Sequence, residues 1–154
     1  MSEGASMSDD VAIHILGADD APLLARVAPD VFDEPVHPRW SAEFLADPRH
    51  HMAVAIEAET IVGMASGVRY VHPDKAPELF VNEVAVASTH HGRGIGTRLM
   101  HALLSDARAR GCVTAWVLTS PGNTVARRLY ARAGGHEEAE SPKMFLFSLV
   151  EEPA

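Results

Sequence analysis

Three alternating glycines, Gly92, Gly94 and Gly96, stand between an apolar run, Leu79–Ala87, and a long amphipathic pattern. A strand that empties into glycines at the mouth of a helix leaves few folds open. The first helical turn carries N–H groups with no partner inside the helix, and they point at whatever occupies the turn. Glycine lets the backbone come close to that occupant, so the arrangement suits an anion, above all a phosphorylated ligand. Ile95, Leu99, Leu103 and Ala107 then share one stripe of the helix, and Gly111 stops it.

Two common phosphate motifs fail on spacing. A nucleotide-triphosphatase loop requires a lysine and a hydroxyl residue directly after its last glycine, and no lysine follows here. A dinucleotide fingerprint, GxGxxG, requires a third glycine where Thr97 or Leu99 stands. That fingerprint also follows the first strand of its unit, whereas most strand-like segments of this chain come earlier.

The rest of the chain reads as one α+β domain. Alternation over Val11–Leu16 predicts a first strand, and Leu23, Leu24 and Val27 behind Asp19-Asp20 predict a helix over Ala18–Phe32. Pro35 and Pro38 break the chain before a short helix at Ser41–Ala46, closed by Asp47-Pro48. Met52–Ala58 and Thr60–Val71 predict a hairpin, His72–Pro77 a loop, and Leu79–Ala87 a central strand. After the glycine-led helix come a strand at Val113–Leu118, a helix at Thr124–Ala133 and a last strand at Met144–Val150. At 154 residues and 47% hydrophobic, the chain suits a single core. Met1–Asp10 is small, polar and acidic and is expected to be a disordered leader, with the folded domain over residues 11–151. No apolar run is long enough to span a bilayer, so no membrane partner is expected. The net charge of -8 argues against nucleic acid and favours cationic partners. The single cysteine, Cys112, excludes an internal disulfide and fits a reducing cytoplasm.

His91-Gly92-Arg93-Gly94-Ile95-Gly96 resembles the cofactor motif of the GNAT superfamily of acetyl-coenzyme A-dependent N-acetyltransferases, Gln/Arg-x-x-Gly-x-Gly/Ala, with histidine in the first position. Asn123-x-x-Ala126-x-x-Leu129-Tyr130-x-x-x-Gly134 resembles that family's later block, with Gly135 where phenylalanine is usual. The resemblance runs from Val11 to Val150. It implies a mixed, mostly antiparallel sheet whose fourth and fifth strands splay apart, flanked by about four helices. It implies acetyl-CoA as cofactor, its pyrophosphate held by His91, Gly92, Arg93, Gly94, Ile95, Gly96 and Thr97. The pantetheine arm would pair with the backbone of Val84, Ala85 and Val86, and Asn123, Ala126 and Tyr130 would complete the cofactor site. A homodimer is a further implication.

Acetyl transfer to an amine requires a neutral nucleophile and a stabilised leaving thiolate. Glu83 lies within an otherwise apolar run, where a carboxylate is costly unless it is used or paired, and it is the candidate base. It can equally be a salt-bridged or solvent-facing strand residue. Tyr130 matches the position at which many members of the family carry the tyrosine that protonates the thiolate, and is otherwise a packing tyrosine. Cys112 has no activating neighbour in sequence and reads as a small buried hydrophobe. The histidines include adjacent pairs, His50-His51 and His90-His91, whose side chains diverge on any regular element, so no metal is expected.

Val81-Asn82-Glu83-Val84-Ala85-Val86, then His90 and Gly94-Ile95-Gly96, are similar to aminoglycoside 3-N-acetyltransferases of the gentamicin/fortimicin class. That resemblance implies an acidic rim for a polycationic acceptor, for which Asp33, Glu34, Glu137 and Glu138 are the candidates beside Glu83. Two other readings stay open. One is the same chemistry on a protein, peptide or metabolite amine; the other is an acyl-CoA-binding sensor without catalysis.

Overall fold

Five strands form one sheet in the order of the chain. The computed structural model describes residues 10–150; all but Asp10 of the expected leader lies outside that range. The strands are β1 (Ala12–Ile15), β2 (His50–Glu57), β3 (Thr60–His72), β4 (Lys75–Val86) and β5 (Thr114–Trp116), antiparallel throughout except for the parallel β4–β5 pair. The helices are α1 (Pro38–Ala46), α2 (Ile95–Ala109) and α3 (Thr124–Arg132), with short 3-10 turns at Ala21–Ala25 and Ser88–His90. Among the described residues this makes three α-helices, fewer than the four expected.

Helix α2 packs on one face of the sheet, where β3 presents small residues. Gly63, Ala65 and Gly67 alternate along β3, and a Cβ on Gly63 would lie 3.1 Å from Leu99 Cδ1. Ile95, Leu99, Leu103 and Ala107 are buried there as the stripe predicts, together with Met100. A fully buried leucine contributes about 1.5–3 kcal/mol over an exposed one, so Leu99 and Leu103 anchor this layer. The other face carries His50, Met52 and Val54 of β2, with Phe44 of α1 stacked on His50 at 5.0 Å.

Three expectations are corrected. The helix expected over Ala18–Phe32 shrinks to the turn Ala21–Ala25, because Arg26 O and Ala28 N bond Ile61 across β3, and Pro29 follows. The loop expected at His72–Pro77 is mostly strand: β3 and β4 run out to a tight turn, with His72 paired to Lys75. The last strand expected at Met144–Val150 is absent, since residues 135–150 form neither helix nor strand. The β2–β3 turn is built by Ala58 and Glu59, both with positive φ (49° and 66°), a pair with no glycine or asparagine to announce it.

Candidate active site

Gly92 and Gly94 both sit in the left-handed region, with φ of 75° and 74°. Nothing lies within 4 Å of a Cβ on either, so glycine is needed there for conformation rather than for space. Gly94 is the N-cap of α2 and offers no side-chain cap. Arg98 N–H is accepted by Gly94 O at 3.1 Å, which leaves the N–H groups of Ile95, Gly96 and Thr97 pointing out of the helix start. This cradle fits a pyrophosphate. Gly96 has a different reason to be glycine: a Cβ there would meet Leu129 Cδ1 at 3.2 Å, so its missing side chain seats α3 against α2.

The turn is fastened from behind. His91 Nε2 donates to Val86 O at 2.7 Å, so the histidine at the motif's first position holds the turn to the end of β4. His90 Nε2 lies 2.8 Å from Glu57 Oε1, and Arg93 reaches the same carboxylate at 3.5 Å. The hydrogen bond from His90 holds the Glu57 carboxyl below its usual range. Asp30 Oδ2 accepts Ser88 N–H at 2.9 Å, and this bond likewise lowers the Asp30 carboxyl.

The parallel pairing of β4 with β5 is short: Glu78, Leu79 and Phe80 face Thr114, Ala115 and Trp116. Beyond Phe80 the pairing with β5 ends, and among the described residues Val81–Val86 has no strand partner on that side. The gap borders the backbone of Val84, Ala85 and Val86, of which Val86 O is already engaged by His91.

Glu83 takes a solvent-facing position on β4, a placement that its sequence context left open. It is exposed, because Asn82 is inserted without a cross-strand partner where Gly67 pairs Val81 and Ser66 pairs Glu83. The register puts Glu83 on the same face as Phe80, Glu78 and Tyr70, away from α2. Trp116 joins them there. Its ring lies 4.5 Å from that of Phe80, and its Nε1 donates to Tyr70 Oη at 2.6 Å. His72 Nε2 stands 3.1 Å from Glu78 Oε2. Sequence reasoning missed Tyr70, Glu78, Phe80 and Trp116 because their meeting is a matter of register between strands distant in sequence. The alternation of Glu78 and Phe80 with buried Leu79 and Val81 was the one legible signal.

Tyr130 is half-buried on α3 against the core, and its burial pushes the phenol's pKa up. Asn123 caps α3, its Oδ1 accepting Ala126 N–H at 3.0 Å. Tyr130 O accepts Gly135 N–H at 2.9 Å, and a Cβ on Gly135 would lie 3.1 Å from that oxygen, so a side chain there must crowd the helix end.

The four rim carboxylates are not gathered together. Asp33 and Glu34 line a depression of about 290 Å³ with Val27, Phe32 and Val36. Glu137 borders a separate depression on α3 and is clamped by Arg127 through contacts of 2.6 and 3.1 Å, while Glu138 is exposed beside His136. Cys112 is half-buried with its thiol pKa raised by burial, the opposite of an activated nucleophile. Among the described residues, no group of three or more His, Cys, Asp or Glu is placed to hold a metal ion. Nor is any described helix long and apolar enough to cross a membrane.

The model of the acetyltransferase (GNAT) family matches residues 21–135. The L-2,4-diaminobutyric acid acetyltransferase of Streptomyces coelicolor is 36% identical over 87 residues, which is 56% of this chain and 50% of that enzyme. The chain thus matches about half the length of that relative. The N-alpha-acetyltransferase RimI of Mycobacterium tuberculosis is 33% identical over 129 residues, 82% of this chain and 79% of its own length. Among solved structures, an aminoglycoside acetyltransferase from an uncultured soil metagenomic sample, in complex with sisomicin, superposes with a TM-score of 0.79. That superposition covers 94% of this chain and 99% of the other at 19% identity, which speaks for the fold.

Proposed function

The chain belongs to the acetyltransferase (GNAT) family, and from that premise we propose that it acetylates a primary amine of a small polycationic acceptor, an aminoglycoside at its 3-amino group being the leading reading. Acetyl-coenzyme A, the cofactor of the family, supplies the activated acetyl group. The glycine cradle from Gly92 to Thr97 holds its pyrophosphate, and the open edge of Val84–Val86 faces its arm. The observation that carries the acceptor class is the partly exposed sheet face on which Glu83 and Glu78 lie with the rings of Phe80, Tyr70 and Trp116. Carboxylates attract an ammonium, and aromatic faces suit both a cation and the apolar side of a sugar ring.

In this mechanism Glu83 takes a proton from the bound ammonium so that the amine attacks neutral. Tyr130 keeps its proton at neutral pH because burial disfavours the phenolate, and it gives that proton to the departing thiolate. Asp33 and Glu34 serve as a second, outlying attraction for a polycation. A cytoplasmic homodimer belongs to the same proposal.

A diamino acid is the second reading. It is favoured by the diaminobutyric acid acetyltransferases among the relatives, whose acceptor is a small diamine. The deciding experiment follows thiol release from acetyl-CoA with sisomicin, gentamicin, 2,4-diaminobutyrate and short peptides as acceptors. Turnover on the drugs supports the leading reading. Turnover on the diamine alone replaces it, and turnover on peptide N-termini alone discards both small-molecule readings.

A further inference from the structure

We infer that Glu57 is a positioning residue for acetyl-CoA binding. From the end of β2 its carboxylate sets the path of the glycine turn by holding His90 and Arg93 together. This role rests on the reading of that turn as the pyrophosphate cradle. Glu57 itself touches no reacting group, and it meets His90 across 33 residues of sequence.

A turn of glycines does not hold its own shape. Gly92 and Gly94 both take positive φ, and a Cβ on either would meet nothing within 4 Å. Arg93 is the one side chain between them, and His90 stands just before the turn. A tether on these two side chains fixes what the glycines leave loose. Glu57 Oε1 lies 2.8 Å from His90 Nε2, and Oε2 lies 3.5 Å from Arg93 Nη2. The two oxygens are thus divided between the two groups. His90 is gripped at its other nitrogen as well, with Nδ1 2.8 Å from Thr89 Oγ1. The three side chains are mostly withdrawn from water, His90 at 12% exposed, Glu57 at 24% and Arg93 at 28%. Their contacts are therefore screened less than those of a surface pair.

The carboxylate is itself held in place. Glu57 pairs Thr60 across the two-residue turn Ala58-Glu59, whose positive φ values cost energy in residues other than glycine. Arg26 secures the outside of that turn. Its guanidinium bonds Glu59 Oε2 at 2.9 Å, and its carbonyl accepts Ile61 N–H at 2.8 Å.

Charge sets the sign of the expected effect. A carboxylate beside an anion site repels the anion, so through space alone the loss of Glu57 would tighten acetyl-CoA binding. As a tether, its loss loosens binding.

The test is the calorimetric Kd of acetyl-CoA for the full chain and its variants. Glu57→Ala should weaken binding about tenfold, the scale of one lost charged hydrogen bond. Glu57→Asp keeps the charge but falls one methylene short of both partners, and should lose nearly as much. Glu57→Gln keeps the reach and the bond to His90, so it should lose only about threefold. His90→Ala cuts the same tether from its other end. Combined with Glu57→Ala, it should cost less than the product of the two single losses. Glu57 ends a strand outside the core, so circular dichroism of each variant should match the wild type.

Unchanged or tighter binding by Glu57→Ala would overturn the inference, as would wild-type affinity in Glu57→Asp or a full product in the double variant. Gly94→Ala separates this role from the cradle itself. If Gly94→Ala leaves Kd unchanged, the cradle reading fails and the role of Glu57 with it. If Gly94→Ala weakens binding and Glu57→Ala does not, only the role of Glu57 is lost.

Discussion

His91 Nε2 donates a 2.7 Å hydrogen bond to the main-chain oxygen of Val86, tying the head of the glycine turn to the last residue of β4. The histidine therefore acts on the cradle through the backbone. A hydrogen bond of this kind is worth about 1 kcal/mol, so His91→Ala should weaken acetyl-CoA binding roughly fivefold. Calorimetric Kd is the measurement, and kcat at saturating acetyl-CoA should barely move.

Gly94 and Gly96 should fail in different ways. Gly94 needs its φ of 74° but has open space around it, so Gly94→Ala strains the backbone by roughly 1–2 kcal/mol and distorts the cradle. Gly96 is limited by Leu129, and Gly96→Val should push α3 outward. Acetyl-CoA affinity should therefore fall in both variants, whereas near-ultraviolet circular dichroism from Tyr130 should change only in the second.

Glu83→Gln keeps the shape of the side chain and removes its basicity. We expect kcat/KM at neutral pH to fall by on the order of a hundredfold, the scale of a lost general base, with acetyl-CoA Kd unchanged. A variant of full activity across the pH range would remove Glu83 from the mechanism.

Tyr130 is held protonated by burial, so no loss of activity from its ionisation is expected below its ordinary pKa of about 10. Tyr130→Phe should lower kcat by on the order of a hundredfold if the phenol proton is used. The melting temperature should hold, because a half-buried ring is retained. Unchanged turnover would leave Tyr130 as packing.

His51, nearly fully buried on β2, has Nδ1 3.4 Å from Asp106 Oδ2, and burial holds its pKa below the usual value, outweighing the attraction of Asp106. The unfolded chain therefore binds the proton more readily than the folded one. Stability should be intact above pH 6.5 and fall as pH drops from there toward the depressed folded value. His51→Gln should flatten that part of the curve, read as melting temperature between pH 7 and pH 5.

The glycines Gly92 and Gly94 ahead of α2 and the stripe Ile95-Leu99-Leu103-Ala107 were legible in the sequence because both are local patterns. Glycines mark the strand-to-helix junction, and a helix face repeats at its own period. The family blocks added the order of the elements. The expected helix over Ala18–Phe32 was not legible as a strand-pairing segment, because Ile61 competes for its backbone from across the sheet. The Ala58-Glu59 turn escaped for want of a turn residue.

The site divides in the same way. Sequence alone determined where the cradle lies and which strand leads into it, since both are set by neighbours along the chain. Only the tertiary structure decided that Glu83 is exposed, through the Asn82 bulge, and that Tyr70, Phe80 and Trp116 meet on its face. It also sent Glu137 to Arg127 rather than to a rim with Asp33 and Glu34, and left Met144–Val150 without a partner in its own protomer. These outcomes depend on strand register and on which charges come within reach of one another. Both are fixed by packing the whole sheet, and neither is encoded in the spacing of residues along one strand.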